Sequence, residues 1–253
     1  MEFEGATFVI TGGSLGIGRQ LTADLIERGA RVLVCGRHAD KLEALKGELP
    51  GVETLVCDVR DYDSVLALRD EARRLFGVPD VLINNAAIFR LFDLQDESLS
   101  VDHWLAEIDI NVLGTMRVTH AMLPLLKEGE KATIVNVTSP SAYIPQAAAP
   151  SYSASKAAIY SWTVSLRHQL RNTGISVVEL NPPVVETRMN ANNPEVEGLK
   201  RWSTEDFSRH VLDRLKRSRT RDILVGDAKL VKSMSRLVPG LIFKKMNPER
   251  TSP

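Results

Sequence analysis

The sequence predicts an α/β fold: one domain on a doubly wound, parallel, seven-stranded sheet with helices on both faces. Three observations predict it. Apolar, β-branched runs alternate with helical periods along the chain, the pattern of a parallel sheet joined by crossover helices. Most of the runs are continuously apolar, as strands buried on both faces are. The motifs that carry chemistry all fall where such a run ends, the place where ligands bind in sheets of this kind.

The expected strands lie near residues 6–11, 31–35, 52–57, 80–84, 132–138, 175–180 and 221–225. Helical patterns lie between them, at about 16–28, 39–48, 62–75, 100–127, 152–172 and 205–217. The length of 253 residues, 43% of them hydrophobic, suffices for a single large core. No linker, low-complexity run or repeat divides the chain, so residues 1–253 are read as one domain. Lysines and arginines number 32 and acidic residues 32, so net charge gives no argument for a nucleic-acid partner. Cys35 and Cys57 fall inside expected strands and read as buried reduced thiols; with no signal-peptide pattern, a cytoplasmic setting is expected. No cluster has metal-ligand spacing, so no metal site is expected.

The first strand runs into Thr11-Gly-Gly-Ser-Leu-Gly-Ile-Gly18. Glycines here allow a tight turn and let a helix start close to a ligand, where free N–H groups suit a pyrophosphate. Gly12, Ser14, Leu15, Gly16, Ile17 and Gly18 are the candidate cradle, although their spacing departs from the usual G-x-G-x-x-G. At the end of the second strand a dinucleotide site often carries an acid for the ribose hydroxyls. This chain has Gly36 and then Arg37. An arginine can bind a 2′-phosphate and stack on adenine, so NADP(H) is the expected cofactor; a solvated loop arginine is the alternative. Asp58, followed by Val59, stands where it could accept a hydrogen bond from adenine, or it is a turn residue, with Asp61 the better helix cap. Asn84, Asn85 and Ala86 end the fourth strand, where they could line the cofactor channel or staple the backbone. Asn111 lies mid-helix, marking a bend, a water site or a satisfied buried amide.

The fifth strand ends at Ser139, and Tyr152 and Lys156 lie four apart at the start of a helix, hence on one face. A hydroxyl, a phenol and an ammonium can therefore converge at one strand end. A free tyrosine has a pKa of about 10, and a nearby ammonium would lower it.

Together, Thr11-Gly-x-x-x-Gly16-Ile-Gly18, Asp58, Asn84-Asn-Ala, Asn111, Ser139, Tyr152-x-x-x-Lys156 and Asn181-Pro-x-Val-Val-x-Thr187 resemble the short-chain dehydrogenase/reductase family over about residues 5–190. The resemblance implies a Rossmann fold, a homodimer or homotetramer, and interconversion of a carbonyl and an alcohol by hydride transfer with NADP(H). It casts Tyr152 as general acid/base, Lys156 as its electrostatic partner and a ribose ligand, Ser139 as the group orienting the substrate oxygen, and Asn111 as holder of a water. It places Pro182, Thr187 and the backbone near Val185 at the carboxamide. Two positions depart from the family pattern: Ala87 stands for the usual Gly after Asn-Asn-Ala, and Pro183 for the usual Gly after Pro182. The double proline is similar to the branch that includes DltE-type oxidoreductases, and to 3-keto-sphingoid-base reductases.

Ser139, Ser141, Tyr143 and Tyr152 are expected to face a small-molecule carbonyl or alcohol substrate of apolar or medium-sized character. Residues 188–204 read as a loop over the site. Residues 228–253 read as a basic and apolar tail: an oligomer surface or pocket wall, a solvated tail, or a contact with an anionic membrane. Readings other than a carbonyl reductase are an NADP sensor without turnover, a 3-keto lipid reductase at a membrane surface, and dehydration or epimerisation on the same scaffold.

Overall fold

A computed structural model describes residues 2–189, 191, 200–217 and 221–247. Strands β1 (Thr7–Thr11), β2 (Arg31–Gly36), β3 (Glu53–Val56), β4 (Val81–Asn84), β5 (Ala132–Val137), β6 (Ile175–Asn181) and β7 (Asp222–Leu224) form one sheet in the order β3-β2-β1-β4-β5-β6-β7. Every pairing is parallel, from Leu33 against Glu53 at one end of the sheet to Asn181 against Leu224 at the other. The order reverses between β1 and β4, the switch point where such sheets open a crevice. The expected architecture is therefore present, with each strand within a few residues of its expected span.

Helices cover both faces because the strands carry apolar side chains on both. Along β1, Phe8 and Ile10 join a core with Leu21, Leu25, Phe207 and Val211. Val9, pointing the other way, joins Val65, Leu68, Val118, Met122 and Leu166. The first face is packed by α1 (Gly16–Glu27), α2 (Ala39–Glu48) and α7 (Thr204–Leu215), the second by α3 (Tyr62–Phe76), α5 (Thr115–Leu126) and α6 (Pro150–Gln169). Asp61 caps α3 by accepting from the Asp63 N–H at 3.0 Å.

Three elements differ from the sequence expectation. The single helix expected over 100–127 is α4 (Val101–Glu107), a π-helical stretch over Ile108–Gly114, then α5. An extra residue per turn re-aims side chains, and here it turns Asn111 inward. The helix expected from 152 starts two residues earlier, with Pro150 in its first turn, where a missing N–H costs nothing. The tail, to which sequence reading assigns no helix, forms a helical hairpin over its described part: α8 (Ala228–Leu237) and α9 (Pro239–Met246). Leu230, Leu237, Leu241 and Phe243 face outward there. The loop expected over 188–204 falls largely outside the described residues. Its final part is ordered: Trp202 bridges Val185, and Ser203 caps α7.

Candidate active site

The strand ends surround a cavity of about 360 Å³ lined by the β1–α1 turn, the ends of β2 and β3, the segment after β4, and Tyr152, Lys156, Pro182 and Thr187. The glycine turn is shaped by close approach. Gly12 has φ +65°, and a Cβ there would stand 2.9 Å from the Ala86 Cα. A Cβ on Gly18 would meet the Gly12 carbonyl oxygen at 2.5 Å. Leu15 occupies the N-cap of α1, where its side chain accepts nothing, and the first turn holds no acid. Uncapped N–H groups at a positive helix end, facing a cavity, suit an anion.

Of the expected cofactor residues, Gly12, Ser14, Leu15, Gly16, Ile17, Arg37, Asp58, Val59, Asn85, Ala86, Tyr152, Lys156, Pro182 and Thr187 line this cavity. Gly18 is buried beneath the glycine turn and Val185 beneath its own bridge to Trp202, so both support the cavity rather than line it. Asn85 does staple the backbone: its Nδ2 donates to the carbonyls of Thr11 and Gly12 at 3.0 and 2.9 Å. Asp58 shares its carboxylate with Arg60, whose Nη2 lies 2.6 Å away; the Arg60 guanidinium holds this carboxyl below its usual range. Beside Arg37 the structure adds His38 and Lys41 to the cavity wall. Lys41, four residues after Arg37 across the start of α2, was within reach of sequence reasoning as a second cation.

Ser139, Tyr152 and Lys156 meet at the end of β5. The Lys156 ammonium donates to the Val137 carbonyl at 2.9 Å and lies 5.6 Å from the centre of the Tyr152 ring. Ser139 is within hydrogen-bonding reach of the Tyr152 phenol and favours its ionisation, but burial is the larger effect and pushes the phenol up to about 12. Burial likewise pushes Lys156 down to about 8. The lowering of the phenol expected from a nearby ammonium is not seen, because desolvation dominates both groups. Asn111, from the π-helical stretch, donates to the Ile88 carbonyl and the Ser155 hydroxyl, each at 3.0 Å, and accepts the Ile88 N–H at 2.8 Å. Its side-chain donors are thus spent on protein, tying the segment after β4 to α6.

Two expected substrate residues point elsewhere. Ser141 is buried, its N–H donated to the Ser139 hydroxyl at 3.2 Å. Tyr143 gives its hydroxyl to the carboxylate of Glu179, and its ring packs edge-on against Tyr160. Neither lines the cavity. The reason is a buried acid on β6 that needs donors, a demand set by residues far apart in sequence. Ser139 is not on the cavity wall either and meets it only through its hydrogen bond with the Tyr152 phenol. Sequence reading also missed Phe89, whose ring meets Tyr152 edge-on at 4.9 Å. It missed Glu107, fully buried, whose Oε1 accepts the Arg90 N–H at 2.7 Å and whose carboxyl is raised by burial. A carboxylate four residues before Asn111 was the available signal for the second; none existed for the first.

The family model described as short chain dehydrogenase matches residues 6–198. Among curated proteins, the chain is 35% identical over 253 residues to "Uncharacterized oxidoreductase DltE" of Bacillus subtilis (strain 168), covering 98% of this chain and 99% of that one. It is 32% identical over 207 residues to "Uncharacterized oxidoreductase SA2266" of Staphylococcus aureus (strain N315), covering 81% of this chain and 88% of that one. Among solved structures, a short chain dehydrogenase from Burkholderia cenocepacia J2315 in complex with NADP superposes with a TM-score of 0.84 at 25% identity, over 100% of both chains. A short chain dehydrogenase/reductase from Burkholderia phymatum in complex with NAD gives 0.81 at 24% identity, over 100% of this chain and 99% of that one, and shows the shared fold. This sheet with its strand-end cavity is the framework of a nucleotide-binding oxidoreductase. The chain belongs to the short chain dehydrogenase family.

Proposed function

We propose that the protein is an NADP(H)-dependent oxidoreductase that interconverts a carbonyl and an alcohol, with Tyr152 as general acid/base. The observation that carries the reading is that Tyr152, hydrogen-bonded to Ser139, and Lys156 line the same cavity as the glycine turn and Arg37. The residues fit a dinucleotide. The Gly12–Ala86 approach and the uncapped α1 N-terminus leave room and donors for a pyrophosphate. Arg37, His38 and Lys41 line the cavity beyond β2, and no carboxylate from the end of β2 competes there for the ribose hydroxyls. That charge pattern suits a 2′-phosphate, and the NADP complex of the Burkholderia cenocepacia relative supports it.

Bound NADP(H) would supply the hydride exchanged with the carbonyl carbon. The chain's own residues handle the proton and the oxygen. In reduction, charge builds on the substrate oxygen; Ser139 donates to it, and Tyr152 delivers the proton. Lys156 would hold the ribose hydroxyls and oppose the negative charge left on the phenol. Thr187 and Pro182 line the same cavity and would hold the carboxamide. Asn111 keeps the Ile88 segment and α6 in register around this point. A tyrosine acid of this kind contributes about 10²- to 10⁴-fold to rate.

The test is NADPH oxidation followed against a panel of ketones, aldehydes, quinones and 3-keto lipids, with Tyr152→Phe as the control. The variant should bind NADPH as the parent does and lose most turnover. Full turnover by the phenylalanine variant would end the assignment, and NADPH binding without turnover of any panel member would favour a sensor.

A further inference from the structure

Glu179 lies in β6 between the core residues Val178 and Leu180 and is 1% exposed. A carboxylate in such a place is costly unless its oxygens are all bonded. These are. Oε1 accepts the Thr138 hydroxyl at 2.9 Å and the Tyr143 hydroxyl; Oε2 accepts the Lys232 ammonium at 3.0 Å. Thr138 and Tyr143 stand on either side of the short 3₁₀ turn, Pro140–Ala142, that follows Ser139. Glu179 therefore grips the chain one residue before Ser139 and four residues after it. Thr138 also accepts from the Asn181 Nδ2 at 3.0 Å and reaches the cavity wall.

The cation comes from the C-terminal hairpin. Lys232 of α8 lies between the rings of Tyr160 and Tyr143, 4.9 and 5.2 Å from their centres, and also bonds Asp222 at 3.2 Å. Burial works against its charge, but the carboxylates of Glu179 and Asp222 outweigh burial and hold the ammonium charged. The far end of the hairpin grips the same loop. Asn247 donates to the Pro145 carbonyl at 3.0 Å and accepts the Ala147 N–H at 2.6 Å. Buried ion pairs contribute little net stability compared with apolar packing. If Lys232 served only to glue α8 to the sheet, its bond to Asp222 on β7 would suffice. The acid on β6 adds contacts that all converge on the Ser139 turn.

We infer that Glu179 is a positioning residue for Ser139: its carboxylate, held by Lys232, clamps Thr138 and Tyr143 and fixes the turn that carries the hydroxyl. The inference rests on the proposed reading in which Ser139 orients the substrate oxygen.

Lys232→Met removes the charge and keeps the length. Three measurements follow: amide hydrogen exchange by mass spectrometry, NADPH affinity by calorimetry, and steady-state reduction of 4-nitrobenzaldehyde. Exchange over residues 138–147 should quicken at least about tenfold, with the β1–α1 turn unchanged. NADPH affinity should stay within about twofold, while kcat falls at least about tenfold and KM moves less than about threefold. Lys232→Arg should restore kcat to within about threefold of the parent. Unaltered exchange over 138–147, or exchange that rises equally along the whole chain, would overturn the clamp. If Lys232→Met does not fold, Tyr143→Phe, which breaks one bond and strands no charge, decides by the same exchange pattern. Failure of the parent to reduce any carbonyl compound would count against the proposed function, while the exchange result would still decide the clamp.

Discussion

Replacing Lys156 by methionine tests the electrostatics of the site without a substrate. The ammonium is 4% exposed, its one hydrogen bond is to the Val137 carbonyl, and no carboxylate pairs with it among the described residues. Burial lowers its pKa from 10.5 to about 8. In the unfolded chain the same lysine titrates at its ordinary value. Between those two values the unfolded state binds more protons than the folded one, so stability rises with pH there. Below pH 8 both states are protonated and the full penalty of burying the charge is present, about 3 kcal/mol at 1.36 kcal/mol per pH unit. Between pH 7 and 9.5 about 2 kcal/mol of it is relieved. Tyr152, raised to about 12, acts in the opposite sense but only above pH 10, outside this window. Urea denaturation of the parent and of Lys156→Met at matched pH isolates the lysine, because every other titration cancels in the difference. The stability gap between the two should shift in the parent's favour by about 2 kcal/mol from pH 7 to 9.5. Parallel curves across that range would refute a buried, depressed lysine.

Three further outcomes follow from the geometry. Arg37→Ala should weaken NADPH binding by about 10- to 100-fold, the worth of a charge-assisted hydrogen bond, and NADH by less than about threefold; equal changes in the two dissociation constants would remove Arg37 from the phosphate. Gly18→Ala drives a Cβ into the Gly12 carbonyl at 2.5 Å and the Asn85 amide at 2.6 Å, so it should cost about 1–3 kcal/mol of stability by denaturant titration as well as cofactor affinity; an unshifted midpoint would mean that the turn relaxes freely. Asn111→Ala cuts the tie to Ile88 and Ser155 and should quicken amide exchange at Ile88, whose N–H loses its acceptor; unchanged protection there would show that the tie is dispensable.

The fold was legible because its signals are local. Buried parallel strands announce themselves as apolar runs, and each run in this chain is separated by a helical period long enough for a crossover. The site was legible where its residues are fixed by one turn or one helix face: the glycines by close backbone approach, Tyr152 and Lys156 by four-residue spacing. What sequence reading missed depends on partners distant in the chain. Tyr143 was expected to face substrate because it follows Ser139 closely; its hydroxyl instead answers Glu179, 36 residues on. Asn111 was read as a bend, a water site or a satisfied buried amide; it is a buried amide in a π-helical stretch, and what sequence reading did not supply is its partners, Ile88 and Ser155, neither one a neighbour in sequence. The C-terminal hairpin went unread although Leu230, Met234, Leu237 and Leu241 recur at helical spacing; the stripe also reads as an apolar patch beside basic charge.

On the proposed reading, burial of Tyr152 and Lys156 sets how each direction of the reaction depends on pH. A phenol at about 12 holds its proton throughout the neutral range. Reduction of a carbonyl takes a proton from it; oxidation of an alcohol needs it already ionised. At pH 7 the ionised fraction of such a phenol is of order 10⁻⁵, and it rises tenfold with each pH unit. Lys156, at about 8, still carries most of its charge at pH 7 and loses it as the medium becomes basic. The two directions should therefore separate. The rate of alcohol oxidation should climb with pH above 7, and the rate of carbonyl reduction should level off and then fall once Lys156 loses its proton. The fall follows because the charge left on the phenol then has no buried cation to oppose it. Initial rates with NADP⁺ and NADPH across pH 6–10 read both limbs. One shared bell for the two directions would mean that the phenol is not held protonated by its surroundings, and that the proton comes from elsewhere.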